Sequence, residues 1–142
     1  YSTIWLAQAV GPGGTVYYTD GSKENADEAR SYFERAGVSD RIAVLTGDSI
    51  ELLDSVEGEF DLIFNDVDKH QYPDAFRKAV PRLRSGGLLI TDNALWYGRV
   101  ARDSSDPDTE GVREHNRLAY TSSDLYTTIL PIRDGLAVCM KL

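Results

Sequence analysis

Three features of this 142-residue sequence predict an α/β protein built on parallel strands. Short, almost continuously apolar runs alternate with helix-patterned segments, the rhythm of strands that helices bury on both faces. Four of the runs lead into an acidic residue: Asp20, Asp48, Asp66 and Asp92. The last two runs flank Arg133-Asp134-Gly135, and Asp-Gly between strands is a strong hairpin signal. The expected architecture is a mostly parallel sheet with helices on both faces and a C-terminal antiparallel hairpin.

Each element follows from local chemistry. Residues 1–10 open with an N-cap candidate and place Ile4, Leu6, Ala7 and Val10 at near-helical spacing. Gly11-Pro12-Gly13-Gly14 ends that helix; it precedes a strand and lacks phosphate-loop spacing, so it reads as a connection. Residues 15–19, rich in β-branched and aromatic side chains, read as a strand. Residues 24–36 form a strong helix, acidic in its first turns, with Arg35 near its end and Gly37 closing it. A strand over 42–45 leads through Thr46-Gly47-Asp48-Ser49 into a brief helix over 50–56. A strand over 60–65, a helix over 73–83 and a strand over 88–91 continue the alternation. A polar loop through 103–108 then precedes a helix near 109–120 and the two hairpin strands, 125–131 and 136–141. No repeat or internal linker divides the chain, so residues 1–142 are expected to form one domain.

Composition narrows the partners. A net charge of −8, with no run or stripe of Lys and Arg, argues against a nucleic-acid or anionic-membrane surface. No stretch approaches the roughly 18 apolar residues of a membrane helix, and the first residues lack a basic segment followed by an apolar one. The single cysteine, Cys139, lies in an apolar run and reads as an inert core residue, with the cytosol as the default compartment. A small molecule or a metal is the expected partner.

In open parallel α/β sheets ligands bind beyond the carboxyl ends of the strands. Asp20 suits a ribose ligand there, although Asp20-Gly21-Ser22 also reads as a simple turn, and Asp48-Ser49 also reads as a helix cap. Asp66, Asp92 and Asn93 supply only oxygen donors, which fits Mg²⁺, Ca²⁺ or Mn²⁺ and disfavours zinc. Local caps and turns remain the competing reading of all three. Lys69 follows Asp66 closely: nearby carboxylates favour its charged form, burial beside a dication its neutral form, and the sequence does not decide between them. His70 and His115 share no ligand-like spacing and are expected at the surface.

The same residues resemble a known family, the divalent-cation-dependent O-methyltransferases that use S-adenosylmethionine, which includes catechol and caffeoyl-CoA O-methyltransferases. Tyr1-Ser2-Thr3 before an apolar helix is similar to that family's first-loop signature, and Gly47-Asp48-Ser49 to its adenine segment. Asp66 to Lys69 resembles its Asp-x-x-Lys, and Asp92-Asn93 followed by Trp96-Tyr97-Gly98 its Asp-Asn and Trp-x-Gly loop. The resemblance implies a Rossmann-like methyltransferase fold whose first strand, Gly-rich turn and N-terminal helices would fall before Tyr1. It implies that Asp66, Asp92 and Asn93 hold the metal and that Lys69 is the base. Tyr1, Ser2, Asp20, Asp48, Ser49 and Asp66 would contact S-adenosylmethionine, and Trp96 and Tyr97 would border a small aromatic diol. A homodimer is implied for the full-length protein. Ser22-Lys23 departs from the Asp-Pro that usually follows the family's ribose ligand.

Other readings fit some of these residues. A Mg²⁺-dependent phospho-acceptor signalling domain also gathers acids and a lysine on a parallel sheet, but the terminal hairpin and the Trp96 loop argue against it. A nicotinamide-dependent oxidoreductase would use Asp20 equally well, yet gives Asp92-Asn93 nothing to do. A fourth reading is that these 142 residues bind nothing by themselves.

Overall fold

The computed structural model describes residues 1–142. Contacts group them into two compact units, Tyr1–Val56 and Glu57–Leu142, and each is described separately.

In the first unit, helix α1 (Ser2–Val10) is followed by strand β1 (Val16–Asp20), helix α2 (Lys23–Ala36), strand β2 (Ile42–Thr46) and a single helical turn, α3 (Ser49–Leu52). β1 and β2 pair in parallel, with Val16 opposite Ile42 and Asp20 opposite Thr46. The core is Ala7, Phe33 and Val38, with Val16, Tyr18, Ile42 and Val44 packed against them. α2 is capped at both ends as its composition predicts. Ser22 accepts the Asn25 N–H at 3.2 Å, and Gly37, at φ 67°, donates to Glu34 O at 3.0 Å while Val38 donates to Phe33 O.

The second unit holds strand β3 (Phe60–Asn65), helix α4 (Tyr72–Ala79), strand β4 (Leu83–Thr91), helix α5 (Pro107–Thr121) and strands β5 (Leu125–Leu130) and β6 (Leu136–Lys141). The strand order is β3-β4-β6-β5. β3 and β4 are parallel, whereas β6 runs antiparallel to both β4 and β5, so the expected hairpin closes the sheet with its second strand innermost. α4 buries Tyr72, Ala75, Phe76 and Ala79, one stripe at helical spacing. α5 buries Gly111, Val112, His115 and Ala119 in the same way.

Three expectations are corrected. The helix expected over 73–83 stops at Ala79, because a 3₁₀ turn containing Pro81 follows and Leu83 already belongs to β4. β4 is longer than its apolar run because a register shift between Phe60 and Leu62 accommodates its glycines; a Cβ on Gly87 would stand 2.8 Å from Arg84 O and 3.0 Å from Phe60 O. Third, His115 is not at the surface. It is fully buried on the inner stripe of α5, whereas His70 is exposed and contacts Asp108.

Cys139 is buried opposite Leu89, and burial pushes its thiol pKa up, as expected of an inert core cysteine. No helix is long and apolar enough to cross a membrane.

Candidate functional site

The first unit gathers Asp20, Asp48 and Ser49 at the carboxyl end of its two strands. Asp20 is the last residue of β1, and its main-chain carbonyl accepts the Gly47 N–H at 2.9 Å. Thr19 Oγ1 donates to Ser49 Oγ at 2.9 Å, joining the end of β1 to the start of α3. The local readings of both acids are realised. Asp20 Oδ1 accepts the Ser22 N–H at 2.8 Å, and Asp48 Oδ1 accepts the Ile50 and Glu51 N–H groups as the cap of α3.

Asp20 also accepts the Tyr18 hydroxyl on Oδ2 at 2.7 Å. The Ser22 and Tyr18 bonds hold its carboxyl below the usual range, while burial first and Asp20 second push Tyr18 up to about 12. Each carboxylate oxygen has two lone pairs, so these bonds orient Asp20 without exhausting its acceptor capacity. Tyr1 is exposed and packs edge-on with Trp5; Ser2 is exposed, and neither hydrogen-bonds to the three strand-end residues.

In the second unit the register of β3 and β4 does the positioning. Asn65 lies opposite Thr91, so Asp66 and Asp92 each leave their strand one residue beyond a paired position, and Asp92 N–H donates to Asn65 O at 3.2 Å. Lys69 Nζ lies 3.0 Å from Asp66 Oδ1, 4.9 Å from the Tyr72 ring centroid and 5.8 Å from that of Trp96. Its side chain is only 13% exposed although it follows a strand end. The Tyr72 hydroxyl donates to Asp92 O at 2.9 Å. Burial above all, then the charges of Asp66, Asp92 and Asp134, raise the Tyr72 pKa far beyond that of a free phenol, so this hydroxyl is a fixed donor and not a base.

Asn93 turns the chain at φ 54°, a left-handed conformation that asparagine tolerates better than most residues. Its Nδ2 faces Asp134 Oδ2 at 3.4 Å. The following segment (Trp96–Ala101), whose 3₁₀ turns are interrupted where Tyr97 and Gly98 take φ 53° and 73°, walls a cleft of about 590 Å³ whose lining includes Asp92, Asn93, Tyr97, Arg133 and Asp134. Of the two aromatic residues expected at the acceptor, Tyr97 lines this cleft, while Trp96 lies against Lys69 with its indole N–H buried and unpartnered.

A buried polar chain beneath the strand ends has no counterpart in the sequence reading. Asn65 Nδ2 donates to Thr91 Oγ1 (3.4 Å), which lies 3.0 Å from His115 Nε2; His115 Nδ1 lies 3.1 Å from Asn116 Oδ1, and Asn116 Nδ2 donates to Ala94 O at 2.8 Å. These bonds form one consistent series when His115 is neutral with its proton on Nδ1, and burial lowers its pKa. Residues 65, 91 and 94, which flank Asp66, Asp92 and Asn93, are thus tied to one turn of α5. The sequence signal was the place of His115 on the helical stripe with Val112 and Ala119.

Nowhere do three His, Cys, Asp or Glu side chains form a metal-holding group. The available donor set is two carboxylates and one amide. All three donors are oxygens, and the Asp134 contact engages the nitrogen end of the Asn93 amide, leaving Oδ1 for a ligand, so the set suits a hard divalent cation.

Comparison with known proteins supplies the family. The profile described as O-methyltransferase matches residues 1–142. A catechol O-methyltransferase of Niastella koreensis is 31% identical over 99% of this chain and 68% of its own length. Caffeoyl-CoA O-methyltransferase 1 of Eucalyptus globulus is 29% identical over 100% of the chain and 63% of its own. The crystal structure of the O-methyltransferase from Bacillus cereus in complex with SAH superposes with a TM-score of 0.91 at 34% identity, covering 100% of this chain and 69% of that one. The chain therefore spans 63% to 69% of the length of these three relatives. Its α/β architecture is the Rossmann-like methyltransferase fold, and the chain belongs to the O-methyltransferase family.

Proposed function

We propose that the protein transfers a methyl group from S-adenosylmethionine to a hydroxyl of a catechol-like aromatic, with a divalent cation at Asp66, Asp92 and Asn93. The observation that carries this reading is the parallel register that ends β3 and β4 side by side with Lys69 against Asp66. The names of the relatives support it, as does the SAH bound in the Bacillus cereus enzyme. Asp20, Asp48 and Ser49, with Tyr1 and Ser2, are the proposed donor contacts of the first unit, and Asp66 is the proposed donor contact of the second.

Methyl transfer from a sulfonium to an oxygen is an in-line displacement, so orientation of the nucleophile carries much of the rate. A phenol of pKa about 10 is mostly protonated at pH 7, and bringing it to about 7 is worth roughly 4 kcal/mol. A dication held by Asp66, Asp92 and Asn93 would supply much of that as a Lewis acid toward the acceptor hydroxyl. Lys69 Nζ, placed by Asp66 and by the Tyr72 and Trp96 rings, is the group proposed to take the hydroxyl proton. Tyr97 and the rest of the cleft wall are the proposed surface against which the aromatic acceptor lies.

Calorimetry with S-adenosylmethionine, with and without Mg²⁺, tests the donor and cation arms together. Donor binding that produces no methylated catechol would contradict the acceptor, and absence of donor binding would contradict the whole reading.

A further inference from the structure

We infer that Asp134 is a positioning residue that sets the Asn93 amide and holds the turn carrying Tyr97, coupling a cation ligand to the wall of the acceptor cleft; this rests on the reading of Asn93 as a ligand.

Asp134 lies in the connection between β5 and β6, far from Asn93 in sequence, yet its hydrogen bonds go to the single turn that follows Asp92. Its Oδ1 accepts the Tyr97 N–H at 2.6 Å, and its Oδ2 lies 3.4 Å from Asn93 Nδ2. Its main-chain carbonyl accepts the Leu95 N–H at 2.9 Å, and that of Gly135 accepts the Ala94 N–H at 2.9 Å. The connection thus reaches residues 93, 94, 95 and 97.

That turn is strained. Asn93, Trp96 and Tyr97 sit at φ 54°, 46° and 53°, and Arg133 beside Asp134 at φ 52°. Non-glycine residues are unfavourable there and persist only where the surroundings over-determine them. The Asp134 carboxylate and the two carbonyls provide that restraint.

The chemical identity of residue 134 matters as much as its position. A carboxylate accepts on both oxygens, so it engages Asn93 only through Nδ2–H and leaves Oδ1 as the free end of the amide. Asparagine at 134 has nearly the same shape but one acceptor end. If it kept the Tyr97 N–H, it would present its own NH₂ to Asn93 Nδ2, donor against donor, and turn the Asn93 amide around.

The experiment is Asp134→Asn in the otherwise unaltered protein, with Asp74→Asn at an exposed position of α4 as the control. Mn²⁺ affinity is titrated by electron paramagnetic resonance, and the Asn93 side-chain amide and the Tyr97 amide exchange rate are followed by NMR. The expected result is Mn²⁺ affinity weaker by about 10-fold or more, the loss typical when a group that orients a metal ligand is removed. A displaced Asn93 amide resonance, faster Tyr97 exchange and an unchanged far-ultraviolet dichroism accompany it. Unaltered Mn²⁺ affinity in Asp134→Asn overturns the inference. If the parent protein binds no Mn²⁺, the cation reading fails, and the NMR arms decide alone: an unmoved Asn93 resonance overturns the positioning role, and a displaced one upholds it. Should Asp134→Asn fail to fold, Asp134→Glu, which keeps the acceptors and lengthens the reach, replaces it with the same readouts; no change from the parent again overturns the inference.

Discussion

Lys69 is held from three sides, by the Asp66 carboxylate at 3.0 Å and by the Tyr72 and Trp96 ring faces. A lysine after a strand end is usually solvated; here the amine lies over the Tyr72 and Trp96 rings and the side chain is largely buried. Replacing it by methionine keeps an unbranched side chain of similar length and removes the proposed base. Lys69→Met should lower kcat by about 10²–10⁴-fold, the usual contribution of a positioned acid–base group, with Mn²⁺ binding retained. Lost Mn²⁺ binding, or an unchanged kcat, would contradict the role assigned to Lys69. Tyr72 is the contrasting case. Its hydroxyl is committed to Asp92 O and its pKa is driven up, so Tyr72→Phe should cost stability without removing a basic limb from the pH–rate profile.

Helix α5 carries two features whose purpose only packing explains. Gly111 lies mid-helix, where glycine costs up to about 1 kcal/mol relative to alanine. A Cβ there would stand within van der Waals overlap of Lys69 O and 2.8 Å from His70 Cα, so glycine lets the helix touch the turn that presents Lys69. Gly111→Ala should therefore destabilise by about 1–3 kcal/mol despite its better helix propensity, and should lower activity by moving Lys69; a denaturant melt and an initial-rate measurement check both.

His115 is the second feature. Its pKa in the fold lies below the ordinary 6.5, chiefly through burial, so between the two values the unfolded chain takes up a proton that the folded chain refuses. Stability is complete above about pH 6.5 and declines as pH falls toward the folded value. Urea midpoints compared at about pH 7.5 and 5.5 should fall with acid in the parent and fall less in His115→Gln. The strand ends beside α5 were legible because apolar runs closing in Asp66 and Asp92 are a local pattern. His115 was not, because one histidine on an apolar stripe looks the same whether the stripe's edge faces water or a threonine on a neighbouring strand.

At the scale of the molecule, the alternation of elements and the closing hairpin were readable from periodicity and turn chemistry, which are properties of short segments. The length of β4, the place of β6 between β4 and β5, and the reach of Asp134 to Asn93 depend on residues far apart in sequence, and no local pattern encodes them. Membership of the O-methyltransferase family rests on the match along all 142 residues, whereas the proposed metal dependence rests on the oxygen donors at two adjacent strand ends. An acidic chain of net charge −8 favours cation uptake in general, so specific binding must be separated from this background by salt. Specific affinity at Asp66, Asp92 and Asn93 should survive physiological ionic strength and be lost in Asp92→Ala. The most direct test of the central claim is methyl transfer to catechol by the protein, followed before chelation, after chelation and after Mg²⁺ is returned. Activity should disappear on chelation and return with Mg²⁺; methyl transfer that proceeds unchanged with chelator present would contradict a cation at Asp66, Asp92 and Asn93.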